Sequence, residues 1–155
     1  MGQIKLYGRR TVSQFTSGNP TAAQYSHISV YNDSTIGHIL RVRSYSVAPG
    51  AGAYVLGFLN QGSLGTLVAA GIPIFAGEGT LAGSLYSGSN TTQPTTGQLL
   101  GQLSSSTIYP IDFPLAYLRP GWSWVMQCRT VNTAMNGSIL WEDLTPEMLH
   151  ADELA

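Results

Sequence analysis

From residue 24 to residue 47 the side chains alternate with a period of two. In 24–32, Tyr25, His27, Ser29 and Tyr31 fall on one side, and Ser26, Ile28 and Val30 on the other. After the link 33–37, "DSTIG", the stretch 38–47 puts Leu40 and Val42 on one face and Arg41, Arg43, Tyr45 and Val47 on the other. Strand side chains alternate between faces, so a period of two marks half-buried strands; a 3.6-residue turn would scatter these apolar groups around a helix. Short apolar runs at 53–59, 72–76 and 80–86 follow, separated by Gly, Pro, Asn and Asp clusters. Strands at intervals of about 8–12 residues predict an all-β sandwich or barrel and argue against βαβ units. The expected fold is a single β-sandwich, jelly-roll-like domain with a short C-terminal helix.

The remaining segments fill in that outline. Residues 1–20 read as an N-terminal arm and 87–107 as a long polar loop, rich in Ser, Thr, Gly and Gln, with Leu99, Leu100 and Leu103 as an anchor. Pro110 and Pro114 favour edge or irregular strand positions. Arg119-Pro120-Gly121 predicts a tight turn, Pro setting φ and Gly free to take positive φ. The run after it sets Trp122, Trp124, Met126 and Cys128 on one strand face, followed by a link at 132–137 and a returning strand, as in a closing hairpin. A helix is expected over 145–153, with Thr145 as N-cap and Pro146 in the first turn. The 155 residues suit one domain, and no internal repeat or boundary interrupts them.

Charge narrows the function classes. Charged residues make up 10% of the chain, against about 25% in an ordinary soluble domain. Such a surface suits a chain that buries itself against copies of itself, since interface centres are poor in charge, or one whose surface must stay inert and stable outside a cell. The net charge of −1 and the absence of any basic run give no footprint for nucleic acid or an anionic membrane. Residues 44–77 carry no charge, but the apolar pieces are too short and too interrupted for a spanning helix of roughly 20 residues, so no membrane partner is expected. Lys5, Arg9 and Arg10 lie near one end, and Glu142, Asp143, Glu147, Asp152 and Glu153 near the other; these read as two solvated tails, with pairing between subunits as the alternative. The opening "MGQIKLYGRR" has no signal-peptide h-region, so synthesis in the cytoplasm is expected.

No constellation of residues carries chemistry. Cys128, the lone Cys, shares a strand face with Trp and Met and reads as a small buried hydrophobe, not as a nucleophile. His27, His38 and His150 share no ligand spacing, although His27 and His38 could approach across a turn. Glu78 and Asp112 are the only acids between residues 34 and 141, and nothing pairs them for acid–base work. "GWSWV" (121–125) lacks the last Gly of a nucleophile elbow, and "GEGTLAG" (77–83) misplaces the third Gly of a dinucleotide fingerprint. Asn32, Asn90 and Asn136 open glycosylation sequons, without a signal peptide to deliver them. The expectation is a non-enzyme with no catalytic residue, no cofactor and no metal site. Eight Tyr and three Trp, many beside Asn, Gln or Ser, leave a glycan-binding role open, because aromatics serve sugar stacking as well as cores and interfaces.

Two segments resemble the small β-rich virion proteins of tailed bacteriophages. One is "YSHISVYNDSTIGHILRVRSYSV" (25–47); the other is "LRPGWSWVMQCRTVNTAMNGSILWED" (118–143). The resemblance implies a structural protein in many copies, without enzymatic activity. A capsid decoration or cement protein comes first, a homo-oligomer (a trimer by preference) seated on the major capsid protein. A tail, neck or fibre-associated protein, or a glycan- or receptor-binding module of the virion, is the alternative.

Overall fold

The computed structural model describes residues 10–50, 53–74, 79–94, 98–102, 107–110 and 116–148. They form eleven strands: β1 Thr11–Gly18, β2 Tyr25–Tyr31, β3 Ile39–Pro49, β4 Tyr54–Gln61, β5 Thr66–Gly71, β6 Leu81–Asn90, β7 Gln98–Gln102, β8 Thr107–Pro110, β9 Ala116–Leu118, β10 Trp122–Cys128 and β11 Met135–Leu144. They pair antiparallel in two sheets. One has the order β1-β11-β3-β8, with β9 also on β3; the other has the order β5-β6-β2-β10-β4-β7. The chain changes sheet at β1–β2–β3–β4, again from β7 to β8, and at β9–β10–β11. Paired sets β1-β11-β3-β8 and β2-β10-β4-β7 make a jelly roll. The β5–β6 hairpin is an addition that widens the second sheet beyond β2.

Between the sheets lies the core expected from the alternating pattern. Ile28 and Val30 of β2 meet Trp124, Met126 and Cys128 of β10, and Ile139 and Trp141 of β11 face them from the other sheet. Tyr45 packs against Trp124 at 5.8 Å between ring centroids. Several expectations need correction. Tyr45 and Val47 join Leu40 and Val42 in the core instead of opposing them. The cause is a β-bulge: Trp141 pairs with Val42 and Leu140 with Ser44, so Arg43 is the extra residue and the alternation slips by one. The N-terminal arm is a strand from Thr11 onward, with Val12 in the core. In place of a strand over 72–76, β5 occupies 66–71, and 72–74 run beside β1, where Pro73 bridges Val12. The 87–107 segment contains the end of β6 and all of β7, because Ser and Gly paired on β2 serve a ladder as well as a loop. Residues 122–144 are no hairpin, since β10 and β11 belong to different sheets. The helix shows one turn at 146–148, its Met148 N–H bonded to Thr145 Oγ1 at 3.3 Å; 149–153 lie outside the described residues.

Candidate functional site

Two exposed regions and two buried polar ones bear on function. The first exposed region follows the β1/β5 border. Ile74 N–H donates to Thr11 O at 2.9 Å, and Gln14 Nε2 donates to Ala70 O at 3.1 Å, so 70–74 lie along β1. Along this border Phe15 and Ile72 are 66% and 63% exposed, and Leu67, Val68 and Ile74 are exposed as well. Val68 is the bulged residue between Leu67 and Ala69 in the pairing with β6, which roughens the strand edge.

The second exposed region is a pocket of about 260 Å³ lined by Leu59, Tyr117, Arg119 and Trp122. Its frame comes from the predicted turn. Trp122 N–H bonds Arg119 O at 3.1 Å, closing a four-residue turn whose third residue, Gly121, has φ +86°. That is a type II turn, with Pro before Gly as the geometry asks. Asn32, fully buried, fixes it from behind. Its N–H donates to Trp122 O, its carbonyl accepts from Gly121 N–H, and its Nδ2 donates to Leu118 O at 2.8 Å and His38 O at 2.9 Å. Gly62 N–H donates to Gly121 O at 2.7 Å from the other side. Leu59 comes from β4, opposite Trp124, and Gln61 stands opposite Trp122.

The first buried polar region centres on Asp143. Its carboxylate accepts from Arg10 Nη2 at 2.7 Å, His38 Nδ1 at 2.7 Å and Ala82 N–H at 2.9 Å. Arg10 Nη2 lies 3.3 Å from the same His38 nitrogen, but the shorter contact makes that nitrogen the donor to Asp143. Asp33 secures the next residues, accepting from Gly83 N–H at 2.8 Å and from the Ser84 hydroxyl. Gly83 has φ +99°, and a Cβ there would strike the Trp141 indole. One strand register away, Arg41 grips Glu142 through Nε and Nη2, both at 3.1 Å. Among the described charged residues near the two ends, Arg10 pairs with Asp143 within one chain, and Glu142 and Asp143 are buried strand residues while Glu147 is exposed; Lys5, Arg9, Asp152 and Glu153 lie outside the described residues.

The second lies on the outer face of the six-stranded sheet. Residues 62–65 link β4 to β5 and cross β10, β2 and β6 as a strap. Ser123 Oγ donates to Gly62 O at 2.7 Å, and Ser29 Oγ to Leu64 O at 3.3 Å. Under the strap, His27 of β2 faces Gln127 of β10 in register. Gln127 Nε2 donates to Asn90 Oδ1 at 2.6 Å and Thr92 O at 2.9 Å, whereas Gln127 Oε1 and His27 Nδ1 are buried with no partner among the described residues. Burial lowers the His27 pKa from 6.5 to about 4.

Of the residues singled out from sequence, Cys128 is in the core, and burial raises its thiol pKa against the smaller opposing effect of hydrogen bonds from Thr130 and Ser26. His27 and His38 do not meet: one lies beneath the strap, the other on Asp143. Among the described residues no three His, Cys, Asp or Glu side chains cluster to hold a metal, and no helix is long and apolar enough to cross a membrane. Glu78, Asp112 and His150 lie outside the described residues. The Asp143 network escaped sequence reasoning because its members are 28 to 133 residues apart. The pocket was half visible: the Pro-Gly turn and its Trp could be read, Leu59 and Tyr117 could not. No protein-family model, characterised protein or solved structure matches the chain.

Proposed function

We propose that the chain is a non-enzymatic structural protein of a tailed-phage particle, a decoration or cement protein that works by contact with copies of itself and with the capsid shell. The observation that carries this reading is the apolar border of Phe15, Leu67, Val68, Ile72 and Ile74 on a chain with 10% charged residues. Exposed apolar side chains gathered along one border of a small domain mark an interaction surface or an aggregation hazard, and the bulge at Val68 lowers the hazard. Jelly rolls recur in viral capsid and lectin domains, which fits the reading at the level of fold only. The resemblance of 25–47 and 118–143 to virion proteins adds its own support.

Mass measurement in solution, alone and with purified capsids, tests the proposal. The expected result is a discrete oligomer that co-sediments with particles. The double variant Leu67→Glu, Ile72→Glu should shift the mass to that of a monomer with its circular dichroism unchanged. A wild-type monomer that never binds particles overturns the proposal.

A further inference from the structure

We propose that the Leu59–Tyr117–Arg119–Trp122 pocket binds a carboxylate-bearing sugar, of the uronic or sialic acid class. Three observations lead there. The first is the state of Arg119. Among the described residues, Arg10 bonds Asp143, Arg41 and Arg43 bond Glu142, and Arg129 donates to Pro94 O, whereas Arg119 is exposed and no described residue bonds its guanidinium. A free guanidinium at the mouth of a pocket is a fork-shaped donor for a carboxylate.

The second is the wall. Trp122 is 37% exposed and Tyr117 is 45% exposed, while Trp124 and Trp141 are buried. A half-open aromatic ring offers an apolar face with a polar rim, which suits the C–H face of a pyranose. Leu59 extends that apolar surface, and Gln61, directly opposite Trp122, brings an amide alongside it. At 260 Å³ the pocket sits just under the roughly 300–1,000 Å³ of small-molecule sites, a scale for one sugar ring.

The third is the backbone. Trp122 N–H and O, Gly121 N–H and O, and Leu118 O all have internal partners. An extended peptide needs main-chain groups to pair with, and these are taken. Recognition therefore falls to side chains on a turn fixed by buried Asn32, so a ligand costs little reorganisation.

Tryptophan emission during titration of the full chain tests this, because Trp122 is the exposed indole. Methyl glucuronide and sialic acid should each give a saturable shift, with methyl glucoside binding about tenfold more weakly, as one charge-assisted contact implies. Arg119→Gln should remove the preference for the acid and keep the neutral-sugar response. Tyr117→Ser, on a short outer strand, should weaken both sugars alike with the fold intact. Absence of a saturable shift with both acids overturns the proposal. So does an undiminished acid preference in Arg119→Gln, or tighter binding of an acidic peptide than of the uronide. The pocket and the β1/β5 border use different residues, so capsid sedimentation and sugar titration fail independently.

Discussion

At one place in this jelly roll a buried carboxylate is ringed by donors; at another a buried imidazole has a nitrogen that no described residue bonds. Asp143 and His27 are equally hidden, with 1% of each residue exposed. Asp143 draws on Arg10, His38 and the Ala82 amide, from three separate segments. His27 lies under a four-residue strap held by two serine hydroxyls, and its cross-strand neighbour Gln127 also keeps an unpaired oxygen. Burial alone therefore does not set the electrostatics of a site. An ionised group is tolerated inside where the fold supplies partners, and a titratable group without them is kept neutral. In this chain the difference also divides labour. The Asp143 network ties β1, β6 and β11 together, while the His27 region carries the liability.

The sharpest way to break the comparison is to remove the charge from the satisfied site. Asp143→Asn keeps the shape but turns one acceptor oxygen into a donor that faces Arg10 or His38. Removing one partner of a buried ion pair costs roughly 3–5 kcal/mol, and here the charge is lost and at least one of the three donors loses its acceptor. Urea unfolding at pH 7.5 should show a loss of about 4 kcal/mol. A loss below about 1 kcal/mol would mean that the network is decorative.

The unsatisfied site should answer to pH instead. His27 has a folded pKa of about 4 against 6.5 in the open chain. Between those values the unfolded chain takes up a proton that the folded chain refuses, so stability falls as pH drops from 6.5 to 4 and the loss levels off below 4. The full effect is about 3 kcal/mol. It is isolated by subtracting the urea stability profile of His27→Leu, in which the same carboxylates titrate without the imidazole. A difference profile flat across this window would show that His27 finds a partner after all.

Much of this contrast was hidden in the sequence, for reasons visible in particular residues. The alternation through β2 and β10 fixed which side chains enter the core, and Pro120-Gly121 fixed a turn, because both are local. The slip at Arg43 was not legible: one inserted residue reverses every face after it, and nothing in "RVRSYSV" marks where the partner strand will tolerate it. The alternation places His27 only on the side opposite Ile28 and says nothing of what covers that side. Its burial depends on the strap at 62–65, whose path follows from the sheet order. The pairing of residues 10, 38 and 143 is likewise a product of topology. Acidic residues near a chain end look like a tail until a strand pairing places them inside.

The smallest effect tests whether exposure, and not charge alone, sets the strength of the pairs beside Asp143. Glu142 serves two cations at once. Arg41 is nearly buried and bonds both carboxylate oxygens at 3.1 Å, whereas Arg43 is about one-third exposed and reaches Oε1 at 3.4 Å. The bulge at Arg43 keeps both arginines on Glu142 while it returns Tyr45 and Val47 to the core face. Arg43→Gln leaves the Arg41 pair intact and removes only the longer, wetter contact. Exposed pairs contribute roughly 0–1 kcal/mol and weaken with salt. The expected change in urea stability is therefore below about 0.5 kcal/mol, shrinking further in 0.5 M salt. A loss on the scale of Asp143→Asn would mean that Arg43 belongs to the buried network, and that the boundary between satisfied interior and surface runs one residue further out than its exposure implies.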